Sequence, residues 1–174
     1  MKSFVLVSLA AILLTACSHT YYVVRHAEKA TPSAGPTMHT PNDPPLSEAG
    51  AQRAQDLLEV LKDKKIEYIF STNTIRTKST AEPLRNHRAL SIQTYGPFPD
   101  SAFINKLKSL RHNVLVVGHS NTVDDIVNGL TGRQSVAGDL PESEYSNLFI
   151  VKYKRFPGKK IIYRLKQFGS PTAP

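Results

Sequence analysis

One cysteine, Cys17, among 174 residues excludes any internal disulfide. No apolar run approaches the ~20 residues a membrane-spanning helix needs, since the run from Phe4 to Leu14 is short and interrupted by Ser8. Long polar tracts are missing and 40% of the residues are hydrophobic, which excludes wholesale disorder. There is no internal repeat and no sign of a second domain. The length fits one ordinary globular domain that buries a core without staples. Acids are the minority charge, 14 against 22 Lys and Arg. From Tyr145 onward there are seven basic residues and no acid. That region reads as attraction of anionic substrates or of a phosphate-bearing membrane surface, or as lysine protection of an edge strand. No nucleic-acid recognition motif is present.

The N-terminus has the tripartite layout of a secretory signal. Lys2 supplies the positive start, Phe4 to Leu14 the apolar stretch, and Leu14-Thr15-Ala16-Cys17 small residues before a cysteine. The end of this segment resembles a bacterial lipobox, which implies cleavage before Cys17 and acylation of its sulfur. Ser18 after the cysteine resembles an outer-membrane sorting signal. The expected organisation is a lipoprotein signal peptide at 1–16, a lipidated tether at 17–20, one domain at 21–168 and a tail at 169–174. The expected location is the cell envelope, lipid-anchored at the outer membrane and facing the periplasm, with stable attachment through several acyl chains.

Along the rest of the chain strands alternate with helices. Tyr21 to Val24 reads as a buried strand. Prolines at 32, 36, 41, 44 and 45 reject both helix and central strand over residues 30–46, so a long loop is predicted there, a substrate wall or lid. Ser47 caps a helix from about Glu48 to Lys62 with Ala54, Leu57, Leu58 and Leu61 on one face. Ile66 to Phe70 reads as a strand. Arg76 to Arg88 reads as a helix kinked or broken at Pro83. Ser91 to Tyr95, Ser101 to Leu110, Val114 to Val117 and Thr122 to Leu130 read as strand, helix, buried strand and helix. Gly132 ends the last of these. Asn147 to Tyr153 and Lys160 to Lys166 flank Phe156-Pro157-Gly158 as a hairpin. The predicted fold is an α/β three-layer sandwich, a mainly parallel central sheet flanked by helices, with a C-terminal antiparallel hairpin.

Three segments place charged or imidazole groups just after predicted strands: Arg25-His26, Thr72 to Arg76, and Gly118-His119. Ligand crevices of open α/β sheets lie outside the carboxyl ends of the strands. Two guanidiniums meeting there suit the spread charge of a phosphoryl group. A neutral imidazole can attack phosphorus. Orphan N–H groups at the start of the Thr122 helix can help hold the anion. His26, Glu28, His39 and His119 match no common zinc spacing, and nearby arginines would repel a cation, so no metal or organic cofactor is expected. His19, His87 and His112 have no constellation around them and are expected at the surface.

Val24-Arg25-His26-Ala27-Glu28-Lys29 resembles the Arg-His-Gly/Ala-Glu signature of the histidine phosphatase superfamily, which includes phosphoglycerate mutases and many phosphatases. Leu46-Ser47-Glu48-Ala49-Gly50 is similar to that family's Leu-Ser/Thr-x-x-Gly helix start. Thr72-Asn73-Thr74-Ile75-Arg76-Thr77 is similar to its phosphate-binding arginine segment, and Val116-Val117-Gly118-His119-Ser120 to its second histidine motif. Four such matches in order form a specific signal.

The resemblance implies that His26 takes the phosphoryl group, that Arg25, Arg76 and His119 surround it, and that water then releases phosphate. Asn121 either reaches substrate or caps the next helix. One branch of the family carries an aspartate after the second histidine, where this chain has Ser120. Another branch uses a glutamate after strand three, where Asp100 is the nearest carboxylate and the expected proton donor. Glu28, Asp124 and Asp125 are the other candidates. The family's mutases carry an asparagine shortly after the first motif, and residues 27–35 contain none. The expected activity is hydrolysis of small phosphate monoesters. The rivals are a phosphomutase, a non-catalytic phospholigand-binding module and a protein phosphohistidine phosphatase.

Overall fold

The computed structural model describes residues 18–31, 43–155 and 157–171. The signal segment with Cys17, most of the proline-rich loop including His39, Phe156 and the last three residues lie outside the described residues. The elements run β1 (Ser18–Arg25), α1 (Glu48–Leu61), β2 (Tyr68–Thr72), α2 (Ile75–Arg88), β3 (Ile92–Tyr95), α3 (Ser101–Leu110), β4 (Val114–Gly118), α4 (Val123–Thr131), β5 (Asn147–Lys154) and β6 (Lys160–Gln167).

The six strands form one sheet in the order β3-β2-β4-β1-β5-β6. The first four are mutually parallel, and β5 and β6 are antiparallel additions beside β1. Alternation along the strands sends successive side chains to opposite faces. Tyr21, Val23, Val114 and Val116 pack with Phe103, Ile104, Leu107, Ile126 and Val127. Tyr22, Val24, Leu115 and Val117 pack with Leu57, Leu61, Ala81 and Leu84. The result is a three-layer sandwich, with α3 and α4 on one face and α1 and α2 on the other.

Two boundaries differ from the sequence reading. β1 begins at Ser18, because Ser18, His19 and Thr20 continue the antiparallel ladder with Lys154, Tyr153 and Lys152. The expected tether is therefore mostly strand, and His19 is buried rather than exposed, bonded to the Tyr21 hydroxyl at 3.0 Å. α2 runs through Pro83 without a break. Thr77, Thr80, Ala81 and Leu84, at helical spacing, are buried beneath it, and that packing outweighs the one hydrogen bond a proline removes.

α1 is positioned by its first turn. Ser47 accepts a hydrogen bond from the Gly50 N–H at 3.1 Å, and its own N–H donates to the Glu28 carbonyl at 2.9 Å. A Cβ at Gly50 would fall inside the Glu28 carbonyl oxygen, so the close approach requires glycine.

Candidate active site

Register brings the motifs to one level. Arg25 pairs with Gly118, Ser71 with Val117, and Thr72 with Tyr95. The turns after all four parallel strands therefore emerge side by side. They line a cleft of about 410 Å³ that includes Arg25, His26, Arg76, His119 and Asn121. The rings of His26 and His119 stand 5.3 Å apart, edge to face.

His26 is held by its backbone and its ring. Its N–H donates to the Gly118 carbonyl at 2.9 Å. Its Nδ1 lies 2.7 Å from the Ala27 carbonyl oxygen. A carbonyl only accepts, so Nδ1 carries the proton and Nε2 keeps its lone pair. The following peptide is pinned by the Ala27 N–H to Thr80 Oγ1 at 2.9 Å. Burial, joined by the charges of Arg25 and Arg76, outweighs the Ala27 hydrogen bond and lowers the His26 pKa to about 3. The imidazole is therefore neutral at ordinary pH.

His119 bridges two motifs. Its Nδ1 accepts from Arg76 Nη2 at 3.3 Å, so its Nε2 donates to Thr72 Oγ1 at 2.8 Å. Burial, then Arg76 and Arg25, lower its pKa to about 4, with Asp43 opposing. Gly118 before it leaves no room for a side chain, since a Cβ would sit 2.7 Å from Thr122 Oγ1. The other branch of the Arg76 fork reaches Asp43 at 3.1 Å, and that carboxylate also accepts the Ile75 N–H at the start of α2.

Arg25 is more deeply embedded than sequence alone implies. It is 2% exposed. Its Nη1 donates to the carbonyls of Pro141 and Glu142 at 2.9 and 3.1 Å, and its Nη2 to the Glu142 carboxylate at 3.0 Å. The guanidinium carbon sits 4.1 Å from the centre of the Tyr145 ring. Glu142 also meets Lys29 at 3.4 Å. Burial pushes its carboxyl up, but Arg25 and Lys29 pull harder and leave its pKa lowered.

Glu142, Tyr145 and Asp43 went unnoticed in the sequence. The first two carried one usable signal. A segment feeding an antiparallel strand beside β1 must arrive at the carboxyl end of β1. For Asp43 no sequence signal exists.

The remaining candidates sit elsewhere. Asp100 is not among the residues lining the cleft. It is the N-cap of α3 and accepts from the Phe103 N–H at 2.7 Å. Glu28 is clamped by Arg53, whose Nε and Nη2 reach it at 2.8 and 2.6 Å. Asp124 and Asp125 lie in the first turn of α4, also off the cleft lining. Burial raises the pKa of Asp124. His87 is exposed, as is His112, which pairs with Glu67 at 2.8 Å. Among the described residues, no group of three His, Cys, Asp or Glu is arranged to hold a metal ion. Cys17 lies outside the described residues.

Residues 21–97 match the family model described as histidine phosphatase superfamily (branch 1). That match covers 77 of the 174 residues, and over it the chain is similar to that superfamily. The matched span ends before His119, whose place in the site is set by the register of β4 against β1. No curated protein sequence matches the chain. Solved structures of similar fold include one from Agrobacterium tumefaciens assigned as the phosphohistidine phosphatase SixA. It is 21% identical with a TM-score of 0.56, over 87% of this chain and 98% of that one. A mycobacterial glucosyl-3-phosphoglycerate phosphatase is 14% identical with a TM-score of 0.59, over 86% and 98%. YhfR of Bacillus stearothermophilus is 16% identical with a TM-score of 0.59, over 82% and 95%. At these identities the likeness is one of fold. The fold that carries the likeness is the mixed six-stranded sheet with its closing antiparallel hairpin.

Proposed function

We propose that the chain hydrolyses phosphate monoesters through a phosphohistidine formed on His26. One observation carries the reading. The Ala27 carbonyl fixes the proton of His26 on Nδ1, which leaves Nε2 as an unprotonated nucleophile in the cleft that Arg76 and His119 line. Nε2 attacks phosphorus as the bond to the leaving oxygen breaks. Water then attacks the phosphohistidine and returns free imidazole and inorganic phosphate. Arg25, Arg76, His119 and Asn121 hold the phosphoryl oxygens, and the gain comes from positioning and charge stabilisation. A phosphoryl dianion beside His119 favours its protonated form, in which both ring nitrogens donate. Arg25 Nε and Arg76 Nε are buried without an acceptor among the described residues, in keeping with an anion-binding role for both guanidiniums.

The leaving group narrows the substrate class. Among the described residues, Glu142 is the carboxylate lining the cleft, and Arg25 and Lys29 hold it ionised. An ionised carboxylate donates no proton. The favoured substrates are those whose leaving group departs without one, such as aryl esters and other activated phosphates. Alkyl phosphates should react slower by about 10²-fold or more, the usual worth of a positioned acid.

Rapid-quench kinetics with an aryl phosphate should show a burst and an acid-labile phosphoprotein. His26→Ala should lose both and drop turnover by at least about 10³-fold. Undiminished turnover in that variant ends the proposal, and phosphate handed to a second hydroxyl without net release points to a mutase.

We place the activity in the cell envelope, lipid-anchored through Cys17 at the outer membrane and facing the periplasm. The support is the lipobox-like Leu14-Thr15-Ala16-Cys17. No helix among the described residues is long and apolar enough to cross a membrane. Cys17→Ser should move the protein from the membrane to the soluble fraction after export. Retention of the variant in washed membranes counts against the anchor.

A further inference from the structure

The closing hairpin carries a stripe of positive charge that starts at its tip, the end of the sheet opposite the cleft, and runs along one face. β5 and β6 present Lys152, Lys154, Lys160, Arg164 and Lys166 on one face, as the pairs Lys154↔Lys160, Lys152↔Ile162, Ile150↔Arg164 and Leu148↔Lys166 require. With Lys64, all of these except Lys160 line a groove of about 270 Å³ that also contains Tyr22, Ile150 and Ile162 and holds no acidic residue; Lys160 lines the cleft on the other face of the tip. None of these cations forms an ion pair among the described residues. On the other face of the hairpin tip a second cleft, of about 210 Å³, adds Lys108, Arg155 and Lys159 around the exposed Ile161.

Edge protection accounts for the cations of β6, the outermost strand, but not for those of β5. Lysine blunts a sheet edge by sitting on the outermost strand, but Lys152 and Lys154 lie on β5, which is paired on both sides. Lys154 stands directly opposite Lys160, and like charges across a ladder are destabilising. A cost of this kind points to an anionic surface that relieves it.

The entry point of the chain names the surface. Ser18 pairs with Lys154 at the start of β1, so the segment ending at Cys17 joins the domain beside the hairpin tip. That segment carries the apolar run Phe4 to Leu14 and, on the lipobox reading, the acyl chains on Cys17.

We propose that the hairpin tip and its basic groove bind the anionic phosphate headgroups of a lipid bilayer. The exposed Ile161 sits at the headgroup boundary, flanked by cations. His26 lies eight residues along from Ser18, roughly 25 Å at the rise of a strand. The cleft mouth then faces away from the bilayer and takes substrates from the aqueous side.

The full chain carrying Cys17→Ser removes acylation while keeping the domain. Its apolar N-terminal run partitions onto any bilayer, so the quantity to read is the preference for phosphatidylglycerol–phosphatidylethanolamine vesicles over phosphatidylcholine vesicles. The preference should be large at low salt and fade as salt is raised. Combining Lys152→Gln, Lys160→Gln and Arg164→Gln should reduce it by about fivefold per residue. Turnover of a soluble aryl phosphate should stay unchanged, and it doubles as the check that the variant is folded. Equal partition of the parent onto both vesicle types overturns the proposal, as does an undiminished preference in the triple variant. An acidic protein partner in place of lipid would give the first of these results. Loss of aryl phosphatase activity on His26→Ala is a separate readout, so the membrane surface and the phosphatase reading fail independently.

Discussion

At the scale of single residues, the site depends on which atoms are already engaged. His26 is primed because a backbone carbonyl takes one ring nitrogen and burial keeps the ring neutral. Glu28, beside it in sequence, is unavailable because Arg53 holds it from α1 while also donating to the carbonyls of Phe168 and Ser170. Asp100 shows the limit of proximity in sequence, since its carboxylate is used as a helix cap. Asp100→Ala should therefore lower stability by about 1 kcal/mol, the usual worth of an N-cap, without changing turnover on alkyl or aryl esters. Denaturant unfolding and steady-state kinetics on the same sample check this. A selective loss on alkyl esters would restore Asp100 as the proton donor. The Arg25-His26 motif was legible in sequence because its neighbours along the chain do the positioning. The carboxylates were not, because which of them meets a cation depends on contacts such as Glu28 with Arg53, from different elements.

At the scale of elements, each turn is aimed by the helix that follows it. The start of α1 rests on the Glu28 carbonyl through Ser47, and Lys29 and Leu46 form an isolated bridge beside it. Alanine normally improves a helix over glycine by about 1 kcal/mol. At Gly50 the new methyl group meets backbone rather than a yielding side chain, and overpacking of this sort costs about 1–3 kcal/mol. Gly50→Ala should thus be net destabilising, and moving Glu28 should also disturb the His26 loop and lower turnover. A stabilised, fully active variant would show that α1 can retreat without consequence. α2 contributes through a polar stripe. Thr80 pins Ala27, and Thr77 bonds to the carbonyls of Thr72 and Thr74. Its hydrophobic periodicity is weak for that reason, and the proline within it was easily taken for a break.

At the scale of the whole molecule, stability and the site are linked through protons. The native pKa values of His26 and His119 are about 3 and about 4, each lowered mainly by burial, against about 6.5 in an unfolded chain. His19 is lowered as well, by burial and then by Arg155. Between those values the unfolded chain binds protons that the native protein refuses, so stability falls as pH drops from about 6.5 toward 4. The denaturant midpoint should decline over that window, and replacing His26 and His119 with Gln should flatten the decline. A profile of equal slope in the double variant would assign the effect to other groups. The sequence alone determined the alternation of strands and helices, the three-layer fold and the identity of the two histidines and Arg76, because hydrophobic period and local motifs act over a few residues. The tertiary structure alone decided that Arg25 is gripped by the segment before β5, that Asp43 shares Arg76, that Asp100 lies off the cleft, and that the basic hairpin tip stands beside Ser18 at the start of β1. Those outcomes follow from strand order and register, which bring together groups too far apart along the chain for any local pattern to pair them.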